Sequence, residues 1–233
     1  MGLDQPLLIR YGAWMGGMLS GDFGISYTYR TPVVDMVAGR MWVSIPLAIY
    51  ALALSTLIAF PVGILAAARR GGWADKSIMG ATQLGIAVPN FWFAVIMVQI
   101  FAIKYGWFRA GGFPGWDEPL QAIRALTLPA IVLALPQAAI LARIMRSGLI
   151  DTIEADFMRT ARAKGRTAGG ALFHHALRNA MIPVLTILGL QFSFLLAGAI
   201  IIEEVFFLPG LGRLIFQAIS QRDLIVGESV GML

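Results

Sequence analysis

Cysteine is absent from this chain of 233 residues, and histidine occurs only twice, as the adjacent pair His174–His175. The first absence excludes a disulfide framework and a thiolate metal site. The second leaves no set of ligands for a metal, because neighbouring residues on a helix point about 100° apart. Charge is also scarce. Only 13% of residues are Asp, Glu, Lys or Arg, against 58% hydrophobic, and the mean hydropathy is +0.75. Soluble domains carry roughly a quarter charged residues, so the composition is that of an integral membrane protein. No G-x-x-x-x-G-K-[ST] loop occurs, since Lys164-Gly165 runs in the reverse order, and neither H-E-x-x-H nor G-x-S-x-G is present. The chain therefore has no phosphate-cradling loop and no catalytic residue to nominate. It opens with no basic stretch followed by an apolar core, the pattern of a signal peptide.

Four apolar segments have the length of about 20 residues that a membrane-crossing helix needs: roughly 43–67, 81–103, 126–145 and 180–202. They show no strict alternation of apolar and polar residues and are rich in Ala, Gly and Ser, which predicts packed helices rather than a barrel. The expected fold is an all-α, polytopic transmembrane bundle of about four complete spans, with "VGESVGML" as the start of a fifth.

The net charge of +5 reflects bases in loops beside spans, where orientation bias explains them better than nucleic-acid binding does. Ten of the eighteen Lys and Arg residues fall in two loops. Arg69, Arg70 and Lys76 follow the first span, and Arg143, Arg146, Arg159, Arg162, Lys164, Arg166 and Arg178 lie around the third loop. Both loops are predicted to be cytoplasmic. The loop "KYGWFRAGGFPGWDEP" then lies outside, with Trp107 and Trp116 as interfacial anchors. The expected organisation is an external segment 1–40 and a membrane domain 41–233 that carries a cytoplasmic loop 146–178. Residues 1–40 would need an upstream span to place them outside, so the chain reads as cut at both ends.

The span interiors lack Asp, Glu, Lys and His, whereas ion-coupled carriers place such groups at mid-membrane. What they hold instead is uncharged polar residues, of which Gln83, Asn90, Gln137, Gln191 and Ser193 are candidates for lining a path, and the prolines Pro46, Pro61, Pro89, Pro129, Pro136 and Pro183. Each proline removes one backbone hydrogen bond and is expected to bend or loosen its helix.

In "EADFMRTARAKG", Phe157, Thr160, Ala161 and Lys164 share one helical face of mostly small and apolar side chains, and Gly165 can end the helix. Such a knuckle suits docking into a groove. A basic loop lying on anionic headgroups accounts for the charge equally well.

The stretch "RTARAKGRTAGGALFHHALRNAMIPVLTILG" resembles the cytoplasmic signature loop of ABC-importer permeases, in the variant of the dipeptide/oligopeptide/nickel family. "LDQPLLIRYGAWMGGMLSGDFGISY", "ARRGGWADK", "GIAVPNFWFAVIM" and "EEVFFLPGLGRLIFQAISQRDL" extend the resemblance over essentially the whole chain. Arg159, Thr160 and Ala161 occupy the family's E-A-A positions, Gly165 matches its glycine, and His175-Ala176-Leu177-Arg178 replaces I-x-L-P.

The resemblance implies a type I importer bundle and the first permease subunit of its system, in a bacterial cytoplasmic membrane. It implies that the loop with Phe157, Arg159, Thr160, Ala161, Ala163, Lys164 and Gly165 couples to an ATPase, and that Glu203, Pro209 and Gly210 belong to an external gate region. No cofactor would be bound by this chain, with ATP-Mg on the partners. Those partners would be a homologous second permease, two cytoplasmic ATPases, an external solute-binding protein and membrane lipid. The cargo would be a peptide, with nickel or another small solute as the alternative. An ion-coupled transporter is the rival that the uncharged spans disfavour.

Overall fold

The computed structural model describes residues 6–155 and 177–232. Phe157 to Gly165 and the His174–His175 pair, and with them the knuckle expected from the sequence, lie outside the described residues. Eight helices are described: α1 (Leu7–Leu19), α2 (Val33–Ala68), α3 (Trp73–Ala87), α4 (Asn90–Met97, continued by a π-helical stretch Val98–Lys104), α5 (Pro119–Glu154), α6 (Leu177–Val205), α7 (Leu211–Ser220) and α8 (Leu224–Met232).

Three of them, α2, α5 and α6, are long and apolar enough to cross a membrane, and α3 with α4 makes a fourth span only as a pair bent by 97°. The second span expected over 81–103 is a helix pair broken at Val88–Pro89, the proline expected to bend or loosen it. Pro89 has no N–H to donate, and Val88 before it takes the extended conformation (φ −78°, ψ 125°) that a following proline favours. Pro46 and Pro61 in α2, Pro129 and Pro136 in α5 and Pro183 in α6 leave their helices continuous. The helix that carries the first span begins at Val33, with Asp35 in its first turn near the positive end of the helix dipole.

α5 is the central strut. It touches α2, α3, α4 and α6, and 67% of its most apolar stretch is buried, against 33% for α2 and 22% for α6. Small residues allow the close approach. Ala59, Gly63 and Ala67 recur every fourth residue on α2, and a Cβ at Gly63 would stand 2.8 Å from Ala142 O and Met145 Cβ of α5. Toward one end, Leu47, Leu126, Leu133, Leu195 and Phe206 form the larger core cluster. Leu141, Met145, Leu149 and Val184 form a second toward the other. A third cluster joins Val33 and Val37 to Leu214, Ala218, Val226 and Val230, so α7 and α8 are seated on the start of α2.

Trp42, Trp107 and Trp116 are exposed at the end where α2 and α5 begin. The Trp116 indole donates to Trp42 O at 2.8 Å, and Arg124 donates to Trp107 O at 2.8 Å. An aromatic ring of this kind is how a membrane protein marks the bilayer–water boundary.

Candidate functional site

At this aromatic end, α6 finishes in Glu203 and Glu204, and the chain turns back through Phe207 (φ 51°) and Pro209 into α7. The first backbone N–H groups of a helix have no partner within it. Here they are met by side chains of two spans. Leu211 N–H donates to Ser44 Oγ (2.8 Å), and Gly212 N–H and Arg213 N–H donate to Glu203 Oε2 (2.7 and 3.3 Å). Ser44 in turn donates its hydroxyl to Glu203 Oε1 at 2.5 Å. Glu203 is wholly buried, a position a carboxylate can hold only when its acceptor capacity is used. It sits against the positive end of the α7 dipole.

Gly210 is required for space, not for an unusual φ, since a Cβ there would fall on the Glu203 carboxylate, and a Cβ at Gly212 would fall on the α6 backbone at Ile200. Arg213 donates to Phe207 O at 3.0 Å and lies over the Phe207 ring, while Gly112 N–H donates to Phe206 O at 2.9 Å, tying in the α4–α5 loop.

A second buried acid braces the same end. Asp223, between α7 and α8, accepts from Ser26 Oγ (2.6 Å), Thr28 N–H (3.0 Å) and Val226 N–H (3.4 Å). Burial pushes its carboxyl upward, but the hydrogen bonds from Ser26, Thr28, Val226 and Tyr27 outweigh that and hold it below the usual carboxylate range. The turn Ile25–Pro32, closed by an isolated bridge, is thereby pinned to the α7–α8 corner.

At the opposite end, the α2–α3 turn is tied to α5. Arg146 grips Asp75 with Nε to Oδ1 at 2.5 Å and Nη2 to Oδ2 at 2.7 Å, and Gly71 N–H adds a bond to Oδ2 at 2.9 Å. Arg70 pairs with Glu154 at the last turn of α5. Asp75 is not among the site residues expected from the sequence, where this turn figures for its cations and its resemblance to the family. Its signal is a single acid inside the basic run "ARRGGWADK", at the first turn of a helix where an acid is favoured.

The five expected path residues do not form one group among the described interactions. Gln191 is buried and donates Nε2 to Gln137 O at 3.0 Å, with its Oε1 unpartnered. Gln83 accepts from Arg143 at 2.7 Å. Asn90 starts α4 half-buried, and Ser193 is exposed. The cavity of about 520 Å³ beside the α3–α4 bend is lined mostly by apolar side chains, including Val62, Phe93, Leu135 and Pro136, and by none of the five.

Long apolar spans around a central strut, with an amphipathic helix held at one end and a braced basic turn at the other, make a multi-pass membrane bundle. The chain belongs to the binding-protein-dependent transport system inner membrane component family, whose model matches residues 59–231. Its relatives include a Brucella abortus (strain 2308) protein described as a peptide transport system permease, 42% identical over 225 residues, 96% of this chain and 72% of that one. The glutathione transport system permease protein GsiC of Escherichia coli (strain K12) is 38% identical over 223 residues, 96% of this chain and 71% of that one. A crystal structure of an amino acid ABC transporter with histidines shares the fold, with a TM-score of 0.56, 18% identity and 85% of each chain covered. The chain is thus an inner-membrane permease of an ABC importer, a system that works with ATPase and binding-protein partners.

Proposed function

We propose that this permease is the first of two homologous permease subunits of an importer for peptides or a closely related solute such as glutathione. Two cytoplasmic ATPases, which hold ATP-Mg, drive it, an external binding protein delivers the cargo, and membrane lipid surrounds it. The observation that carries the cargo class is the 42% identity, over 96% of this chain, to a Brucella abortus protein whose description names a peptide transport system. Nickel remains the alternative. In this reading the face Phe157, Thr160, Ala161 and Lys164, with Arg159, Ala163 and Gly165, docks on an ATPase. Glu203, Pro209 and Gly210 hold the external gate helix α7, and Gln83, Asn90, Gln137, Gln191 and Ser193 serve the path.

The test is uptake by proteoliposomes that hold this chain, its second permease and both ATPases, with binding protein added. Labelled dipeptide, glutathione and nickel are offered with and without ATP. Peptide or glutathione uptake that needs ATP and binding protein is expected, and Ala161→Trp is expected to lower it by crowding the docking face, at about 1–3 kcal/mol for an overpacked contact. Uptake of nickel alone would replace the cargo. Uptake driven by an ion gradient without ATP would overturn the reading.

A further inference from the structure

The contacts between α5 and its neighbours at the cytoplasmic end are of two kinds. Leu149, Ile150 and Met145 pack with Ala67 and Val184, and a Cβ added at Gly148 would stand 3.6 Å from Ala180 Cβ and Pro183 Cγ. These contacts are apolar and non-directional, and packed helices can slide along such surfaces by small steps. The contact with the α2–α3 turn is different. The Asp75 side chain is 5% exposed and the Arg146 side chain 25%, and their two parallel hydrogen bonds fix distance and angle together, as a bidentate guanidinium–carboxylate pair does. The bond from Gly71 N–H and the Arg70–Glu154 pair attach the same turn to the same helix. Beyond Asp75, α3 runs directly to the bend at Val88–Pro89 and into α4.

We infer that Asp75 and Arg146 are a positioning pair that makes the α2–α3 turn, and through α3 the broken span, follow any displacement of the cytoplasmic end of α5. The inference rests on the reading of this chain as an ATP-driven permease and deepens it. Closure of the ATPases acts on the cytoplasmic side, and α5, the buried strut, is the element that meets every other span. A link of fixed geometry at Asp75, with the exposed Arg143–Gln83 hydrogen bond farther along α3, passes its motion to α3, whereas apolar contacts alone would let the two helices slip. The pair therefore acts on coupling, not on binding of ATP or solute.

Structure and coupling can be separated because they depend on the pair differently. Arg146→Gln leaves the Asp75 carboxylate buried without its partner, which destabilises strongly, and Asp75→Asn leaves the partly exposed Arg146 unpaired at a smaller cost. The double variant D75N/R146Q leaves neither charge. In the complete proteoliposome system the two readouts are the thermal midpoint of the purified assembly and the solute taken up per ATP hydrolysed. Both single variants are expected to lower the midpoint, and the double variant to restore most of it. Uptake per ATP is expected to stay depressed in the double variant by at least about fivefold, the lower end of a typical coupling. Arg146→Lys keeps the charge but cannot form the fork, and it is expected to hold the midpoint while lowering uptake per ATP. A wild-type ratio in either the double variant or Arg146→Lys would overturn the inference, leaving the pair as charge neutralisation alone. If the double variant does not assemble, Arg146→Lys alone decides. Failure of the unmodified system to transport with ATP would overturn the parent reading instead, which the wild-type control makes visible.

Discussion

Ser44 on α2 and Glu203 on α6 stand 159 residues apart in sequence, with hydroxyl and carboxylate 2.5 Å apart in the structure. The hydroxyl donates to the carboxylate and accepts from Leu211 N–H, so one side chain joins two spans and the helix α7. Ser44→Ala removes both bonds and leaves the Leu211 N–H without a side-chain partner. A loss of about 1–3 kcal/mol is expected from an unmet buried donor, read as a fall in thermal midpoint. Ser44→Thr, which keeps the hydroxyl, is expected to fall less.

Gly212→Ala is expected to do more damage than Ser44→Ala. A new Cβ at Gly212 meets the α6 backbone at Ile200, which cannot swing aside, whereas one at Gly210 meets the Glu203 side chain. Overpacking at about 1–3 kcal/mol adds to the displacement of α7 from its cap. Purified yield and thermal midpoint of the two alanine variants check the order, and a wild-type midpoint in Gly212→Ala would contradict the packing.

The spans were legible from apolar length alone because the hydrocarbon core sets their minimum size. The loop after α6 was legible as a turn because Pro209-Gly210 punctuates it. Glu203 was picked by resemblance, and nothing in the local pattern pointed to Ser44, since a lone Ser in an apolar helix carries no mark of a partner so distant in sequence. Gln191 and Gln137 are proposed for the path on their polarity alone, a signal with the same limit. An uncharged polar residue has one appearance in sequence, whether it meets water or, as Gln191 does, a neighbouring helix. Five prolines that leave their helices continuous and one that breaks its helix show the same limit. Proline removes a bond everywhere, but the surroundings decide whether the helix continues.

Orientation is testable because the chain has no native cysteine. A cysteine at Ser77, exposed on α3, is expected to react only from the cytoplasm, as is one at Thr167. A cysteine at Asp117, exposed before α5, is expected to react only from outside. Asp117 is a better reporter of that loop than Gly112, whose φ of +85° a cysteine would strain. Labelling of Asp117→Cys by a membrane-impermeant reagent in inside-out vesicles, with none in right-side-out vesicles, would reverse the topology.

Asp223 gives the aromatic end a pH dependence whose sign is fixed by its surroundings. It is 2% exposed, and although burial alone would raise its pKa, the bonds from Ser26, Thr28, Val226 and Tyr27 set it lower than in an unfolded chain. The unfolded value is about 3.9, so on acidification the unfolded chain takes up a proton before the folded one does. The stabilisation from Asp223 is therefore fully present above about pH 4 and is lost as the pH falls from there through the folded pKa. Asp223→Asn removes the charge at every pH, cannot accept at both oxygens, and turns one of its atoms into a donor facing the Ser26 hydroxyl or the Val226 N–H. The thermal midpoint of the variant is expected to lie below that of the wild type from pH 5 to pH 7, by a constant margin. Below about pH 4 the wild type should descend toward the variant, because its own carboxyl is then neutralised as the fold opens. Thermal midpoints of both proteins in detergent at pH 7, 5, 4 and 3 measure the margin. A margin that stays constant down to pH 3, or that widens, would show that the Asp223 carboxylate is not what holds the Ile25–Pro32 turn to the α7–α8 corner.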